Sequence, residues 1–404
     1  MPSLSSAGKT ALDNAIKDAV ARGRVPCVVL GITGVDDDIY LQSAGKNIVG
    51  DPNSGDVNAD SVFWICSQTK MIVSLAALKL IDQGKITFET AVADYLPEFR
   101  NPIVLDDSTN LKSTYVPAKT KVTVKHLMTH TSGLFNRGSS ARLSVSEAYA
   151  SKETHTSQNP VTSYFKILTG DFPALPLKFE PGTDFAYGYS SDALGFVVEK
   201  VSGQTLEEFC QENIFKSLGM NSTSFYLTDD LRSRLINLAH RKENGDLEPW
   251  ADQCELPERD PIKVRLFLGG IGLFSSTRDY LKLLRHILQI NAGREVSNPL
   301  LSIDTLKTIF TPLLNEEAAK TLSQFTMTKG VQFSTALAVT TTDMHNLRKK
   351  GSGGWGGWAS SYHFIDPTAE IAYAFTTQIA PPGDKDAMML TLGLEKLVYT
   401  NLES

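Results

Sequence analysis

Residues 61–84 read SVFWICSQTKMIVSLAALKLIDQG, and the fold follows from how that run divides. Ser61 to Ile65 is β-branched and aromatic, which predicts a short strand. From Gln68 the composition turns to helix formers, and Gly84 stands where a C-terminal cap belongs. Ile72, Val73, Leu75, Ala76, Ala77, Leu78, Leu80 and Ile81 leave almost no polar face, so the helix is predicted to be buried all round. Ser67 and Lys70 fall in its first turn at i, i+3, on one face. A hydroxyl and an amine at the positive end of a buried helix make a candidate active site.

The rest of the 404-residue chain must house that helix, and its length allows two or three domains or one core with an inserted lobe. Hydrophobic content of 42% and charged content of 21% are those of an ordinary globular protein. A formal charge of −6 and the lack of a basic block argue against nucleic-acid binding. No apolar run reaches the length of a membrane span, Leu266–Phe274 being the nearest approach. The N-terminus reads as an amphipathic helix without the apolar core of a secretory signal, so a cytoplasmic protein is expected. Cys27, Cys66, Cys210 and Cys254 lie far apart with no metal-ligand or paired spacing, consistent with reduced thiols.

Before and after the decisive stretch the signals differ. Leu12–Ala21 predicts a helix, and Val28–Thr33 and Ile39–Ala44 predict two strands joined by an acidic turn. Between about 100 and 325, loops rich in Ser, Thr, Pro and Asn separate helical segments near 124–130, 146–151, 161–168, 191–202, 205–217, 277–291 and 302–309. Strand signals return at Phe333–Thr340, Ser360–Ile365 and Ile371–Thr377, and Ala387–Asn401 predicts a closing helix. The expected fold is therefore α+β: one antiparallel sheet built from both ends of the chain, flanked by terminal helices. The expected division is a sheet lobe of 1–100 and 326–404 and a mainly helical lobe of 101–325.

Ser-x-x-Lys recurs along the chain, as at Ser6–Lys9 and Ser163–Lys166, and only Ser67–Lys70 opens a buried helix after a strand. A serine hydroxyl becomes a useful nucleophile when a neighbouring base takes its proton. An amine serves as that base only while unprotonated, a state that burial and nearby positive potential favour. Read alone, the pair is equally consistent with a helix-start serine beside a solvated lysine. A second element is Phe179–Gly195, FEPGTDFAYGYSSDALG, where Tyr187 and Tyr189 lie in the loop entering a helix capped by Ser190 or Ser191. A phenol there can point into a cleft or sit in the core with its hydroxyl satisfied. The third element is Gly351–Trp358, GSGGWGGW, whose five glycines imply close backbone approach. Such an edge can present N–H groups to an oxyanion, or be a flexible hairpin. It lacks the order and the Gly-Lys-Ser/Thr ending of a phosphate loop.

In this order, the three elements resemble the serine β-lactamase/penicillin-binding-protein superfamily, most closely its esterase and acyltransferase branch of family VIII carboxylesterases and fungal lovastatin-type acyltransferases. Further matching stretches are HLMTHTSG at 126–133, FEPG at 179–182, GGIGLFSSTRD at 269–279 and RKKGS at 348–352. The resemblance implies that Ser67 is the acylated nucleophile, Lys70 its partner base and Tyr187 the tyrosine of the second motif. Trp355, Gly356 and Gly357 take the place of the Lys-Thr-Gly triplet of lactamases, and the backbone N–H groups of Ser67 and Trp358 would form the oxyanion hole. Two departures matter. Tyr189 stands where lactamases usually carry Asn, and Trp355 replaces the cation that helps hold a substrate carboxylate. No glutamate is evidently placed to drive lactam deacylation. Neutral, apolar esters are therefore the expected substrates, with release of the acyl group to water or to an alcohol. Trp355, Trp358, Tyr189 and Phe135 are expected to shape an apolar pocket.

Other readings are weaker. Gly188-Tyr-Ser-Ser-Asp192 lacks the final glycine and the preceding strand of a nucleophile elbow, which leaves Ser190 a poor candidate. His126 and His130 have the i, i+4 spacing of a zinc pair, but Leu127 follows where a metalloprotease needs Glu. Cys66 beside the nucleophile reads as a small buried hydrophobe. No metal or cofactor is implied, and the expected partners are a small-molecule ester, an acyl donor and an alcohol acceptor. The alternatives are a β-lactamase or D-Ala-D-Ala peptidase-like enzyme, and a binding protein of the same fold without activity. That last reading predicts loss of Ser67, Lys70 or Tyr187, and all three are present.

Overall fold

The computed structural model describes residues 2–110, 112–136 and 146–403. Its centre is a seven-stranded antiparallel sheet in the order Val331–Phe333, Ala338–Thr340, Gly353–Gly356, Tyr362–Asp366, Ile371–Thr376, Cys27–Thr33 and Asp38–Gly45. Strands from both ends of the chain thus share one ladder, as the return of strand signals after residue 331 implies.

Period-two alternation explains how the sheet is covered. Val28, Leu30 and Ile32, with Tyr373 and Phe375 of the neighbouring strand, face one core cluster. That cluster includes Leu12 and Ile16 of the first helix, Ser6–Ala21, and Leu394 and Val398 of the last, Lys385–Asn401. Cys27, Val29, Ala372 and Ala374 point the other way, into the larger core shared with the helix Thr277–Asn291 and the Ser67 helix. Bulky residues on one face and small ones on the other let the long inner helix lie close. A buried ion pair ties the loop between Ala338–Thr340 and Gly353–Gly356 to the last helix: Arg348 Nε donates to Glu395 at 2.9 Å, with a second Arg348–Glu395 bond beside it.

The stretch that decides the fold forms a strand at Val62–Trp64, a single 3-10 turn at Cys66–Gln68 and an α-helix at Thr69–Asp82. Within that helix every residue from Thr69 to Leu78 is buried, as the lack of a polar face predicts. Gly84 adopts φ +68° and Lys85 N–H returns to the Leu80 carbonyl at 3.0 Å, ending the helix in a left-handed cap. The strand pairs with Phe274–Ser276 outside the main sheet. No helix among the described residues is long and apolar enough to cross a membrane.

Three expectations need correction. The glycine-rich run is a strand, Gly353–Gly356, in the interior of the sheet rather than an edge or loop, because its neighbours on both sides supply the ladder its composition disguises. The run Phe333–Thr340 is two strands, since the Ser334 hydroxyl accepts from the Ala336 and Leu337 N–H groups and turns the chain between them. The helix Ser190–Ser202 starts after Tyr189, with no side-chain cap. The Ser190 hydroxyl bonds Ser132 at 2.9 Å instead.

Candidate active site

Ser67 sits in the 3-10 turn and Lys70 in the first turn of the helix that continues it, so the i, i+3 pair spans the junction on one face. Cys66, just before, holds φ +50°, a left-handed backbone that L-residues adopt only under constraint. Ser67 is 8% exposed and Lys70 4%. Lys70 Nζ lies 3.0 Å from Ser67 Oγ and 2.7 Å from the Gly270 carbonyl. From the same residue, Gly270 N–H donates to Asp192 Oδ1 at 2.8 Å, and Tyr149 donates to Asp192 Oδ2 at 2.8 Å. Burial pushes the Asp192 carboxyl above its usual range, against the Lys70 charge and these hydrogen bonds. The loop after Gly270 is fixed to the helix start, Leu273 N–H donating to Thr69 Oγ1 at 3.1 Å and the Trp64 indole to the Ile271 carbonyl at 2.6 Å.

The Tyr187 ring centroid lies 4.7 Å from Lys70 Nζ. Its hydroxyl accepts a hydrogen bond from Trp355 Nε1 at 3.1 Å. The Trp355 indole stacks on Phe325 at 6.4 Å and meets Phe333 edge-on at 5.5 Å. Trp355 is therefore placed behind Tyr187 and does not wall the cleft as expected, since its side chain follows the alternation of an interior strand. His130 packs on the same aromatics, 5.3 Å from Tyr187 and 5.1 Å from Phe333. Burial and then the Lys70 charge push its imidazole down to about 3, which keeps it neutral.

Gly356 ends the glycine-rich strand, and a tight turn follows in which Gly357 N–H donates to the Ser361 carbonyl at 2.8 Å. A Cβ on Gly357 would stand 2.7 Å from the Ile65 carbonyl oxygen, so only glycine lets this turn lie against the residues before Ser67. The N–H groups of Ala359 and Trp358 face the Cys66 sulfur. Neither the Trp358 nor the Ser67 N–H reaches an oxygen acceptor among the described residues. Trp358 itself lines the cleft with Trp64, Ser67, Lys70, Tyr187, Tyr189 and Ile271, around about 140 Å³.

Tyr189 is a wall residue held from behind. Its ring meets Tyr149 at 5.4 Å, and its hydroxyl bonds Ser146 and, at 3.2 Å, Asn136. Phe135 is not brought to the cleft. A Cβ on Gly188 would fall 2.6 Å from Phe135 Cα, and with the backbones so close the phenyl ring turns to Ile103, Leu105 and Phe172. Sequence reasoning missed Asp192, Tyr149, Gly270, Trp64 and Ile271. A carboxylate among the apolar residues of the helix 190–202 was the available signal for Asp192. The competing candidates take other positions and contacts. His126 Nδ1 accepts from the Thr123 N–H at 3.2 Å, closing a helix start, while His130 lies among the site aromatics. Burial pushes the Cys66 thiol far up, which disfavours a thiolate.

A family model described as Beta-lactamase matches residues 12–397. Acyltransferase calJ of Penicillium decumbens is 28% identical over 388 residues, which cover 91% of this chain and 87% of the relative. Lovastatin esterase of Penicillium rubens is 28% identical over 288 residues, 69% of this chain and 68% of that one. The solved structure of unliganded simvastatin synthase (LovD) from Aspergillus terreus matches with a TM-score of 0.79 at 24% identity, covering 98% of this chain and 99% of that chain. At that identity the likeness is one of fold. A family match across nearly the whole chain, on an α+β fold shared with that enzyme, places this protein in the beta-lactamase family.

Proposed function

We propose that the protein is a serine esterase and acyltransferase that forms an acyl-enzyme on Ser67 from neutral, apolar esters. The observation that carries this reading is the 3.0 Å contact between Lys70 Nζ and Ser67 Oγ in a buried setting, with the Tyr187 ring against the same amine. With the amine neutral, one N–H stays on the Gly270 carbonyl and the lone pair faces the Ser67 hydroxyl. Ser67 Oγ attacks the ester carbonyl carbon as its proton passes to the Lys70–Tyr187 pair. The oxyanion is held by the Ser67 and Trp358 N–H groups. Collapse expels the alcohol, which takes the proton back from the pair. Water or a second alcohol then attacks the acyl carbon by the reverse sequence, releasing acid or new ester and restoring Ser67. The relatives named as an acyltransferase and an esterase support this class of chemistry.

Trp355 supports neutral substrates, because the position holds a neutral indole whose one donor is spent on Tyr187. Lys70 is the only cation among the described residues lining the cleft, and those residues offer no second charge to a lactam or peptide carboxylate. Ser67, Lys70 and Trp358 come from the proposed sheet lobe of 1–100 and 326–404, and Tyr187, Tyr189 and Gly270 from the proposed helical lobe of 101–325, so the site is read as lying between the two. Buried, unpaired thiols at Cys27, Cys66 and Cys210 support a reducing, cytoplasmic setting. Ser67→Ala is expected to abolish hydrolysis of p-nitrophenyl butyrate, and Lys70→Ala and Tyr187→Phe to slow it by roughly 10²-fold each. Full activity in Ser67→Ala would overturn the assignment. Faster turnover of nitrocefin than of simple esters would put a lactamase in its place.

A further inference from the structure

Trp64 faces two cavities. One is the cleft at Ser67, and the other lies beyond the indole, lined by Ile236, Leu238, Trp250, Leu256 and Phe274. The second compartment also holds about 140 Å³, the volume of four or five solvent molecules at about 30 Å³ each, or of a similar number of methylenes. Three rings join the compartments: Trp64 meets Trp358 at 5.7 Å, and Trp358 meets Trp250 at 6.0 Å. The backbone that positions Lys70 runs past both spaces, with Ile271 in the cleft wall and Gly272 and Phe274 in the wall beyond. The Trp64 indole, pinned by its 2.6 Å bond to the Ile271 carbonyl, is a fixed shoulder between them. Glu258 and Arg259 stand at its rim, and the apolar side chains share the lining with Asn237 and with the buried Gln378 amide, which is held by donating to the Trp64 carbonyl at 3.0 Å.

We propose that this second compartment is the subsite for the alkyl tail of the substrate, so that the protein selects esters with a long apolar chain over short ones. The inference rests on the Ser67 reading above and names its substrate class. An alkyl tail has two sources, the acyl group or the alcohol. Each methylene buried contributes about 0.8 kcal/mol, a factor of about four in kcat/KM, until the space is full.

The test is the ratio of kcat/KM for long against short esters in the wild type and in two variants. Leu256→Trp fills the compartment from an irregular, half-buried segment, and Trp250→Ala enlarges it. p-Nitrophenyl decanoate against p-nitrophenyl butyrate reads the acyl side, and decyl acetate against propyl acetate, followed by acetate release, reads the alcohol side. The expected result is a wild-type preference for the long member on one side, cut at least tenfold in Leu256→Trp. Trp250→Ala is expected to move the optimum to a longer chain on the same side. A ratio that stays within twofold of wild type on both sides in both variants overturns the proposal. Loss of the Ser67 reading shows separately, as activity on the short ester that survives Ser67→Ala.

Discussion

Replacing Trp355 with Phe isolates the least expected contact in the site. The substitution removes the indole N–H that reaches Tyr187 at 3.1 Å but leaves an aromatic ring to pack on Phe325 and Phe333. Had Tyr187 only a packing role, kcat would hardly move. With a phenol that stays neutral throughout, the lost bond is worth about 0.5 to 1.5 kcal/mol, about 2- to 13-fold. Should the Tyr187 oxygen carry negative charge in the transition state, the bond is charge-assisted there and worth about 1.5 to 3 kcal/mol, roughly 10- to 150-fold. Our mechanism sends the proton through Tyr187, so the larger range is expected. The loss should fall on kcat with KM within about twofold, because Trp355 does not line the cleft. Steady-state hydrolysis of p-nitrophenyl butyrate gives both constants. A double-mutant cycle with Tyr187→Phe adds the control, because Trp355→Phe should cost little once the phenol oxygen is gone. A kcat within twofold of wild type for Trp355→Phe, or full additivity with Tyr187→Phe, would refute the reasoning.

Asp192→Asn keeps an acceptor for Gly270 N–H but replaces the carboxyl oxygen that accepts from Tyr149 with an amide, disturbing the group that holds Gly270 against Lys70. It should lower kcat at least tenfold with KM for the short ester within about twofold, a split that simple loosening of the cleft would not give. His363 is buried and, by burial and then the charge of Arg348, pushed down to about 3. It is neutral in the folded protein, while the unfolded chain takes up a proton below about 6.5. Its contribution is thus complete above about 6.5 and is lost progressively as pH falls toward about 3. Urea unfolding between pH 4 and 6 should show a shallower pH slope in His363→Leu, by up to about 1.4 kcal/mol per pH unit. Breaking the buried Arg348–Glu395 pair by Glu395→Leu should cost about 3 to 5 kcal/mol of stability on the same assay. With Ser67, Lys70 and Tyr187 untouched, it should leave KM for the short ester near that of the folded wild type.

The proposed nucleophile, amine and phenol could be picked out of the sequence because that chemistry needs scarce residue types at fixed chain spacing, and Lys70 and Tyr187 do meet beside Ser67. The buried helix was legible because eight apolar residues wrap it. What escaped depends on contacts between residues far apart in the chain. Nothing local tells that the Gly270 backbone links Asp192 to Lys70, or that Trp64 meets Ile271 across some two hundred positions. Trp355 and Phe135 were assigned to the pocket by type, and each direction was decided by backbone. One lies in a strand whose glycines hide it, and the other is turned away by Gly188. The Ser334 turn was missed because its hydroxyl bonds are invisible in a run that otherwise alternates like a strand.

The central claim is a covalent one, that the acyl group of a neutral ester is carried on Ser67 Oγ. Brief mixing with p-nitrophenyl butyrate, an acid quench and intact mass measurement, followed by peptide mapping, tests it directly. The account predicts one butyryl group per chain, on the peptide holding Ser67, lost on adding water or an alcohol and absent from Ser67→Ala. A butyryl group mapped to any other residue, or turnover that proceeds in Ser67→Ala, would contradict it.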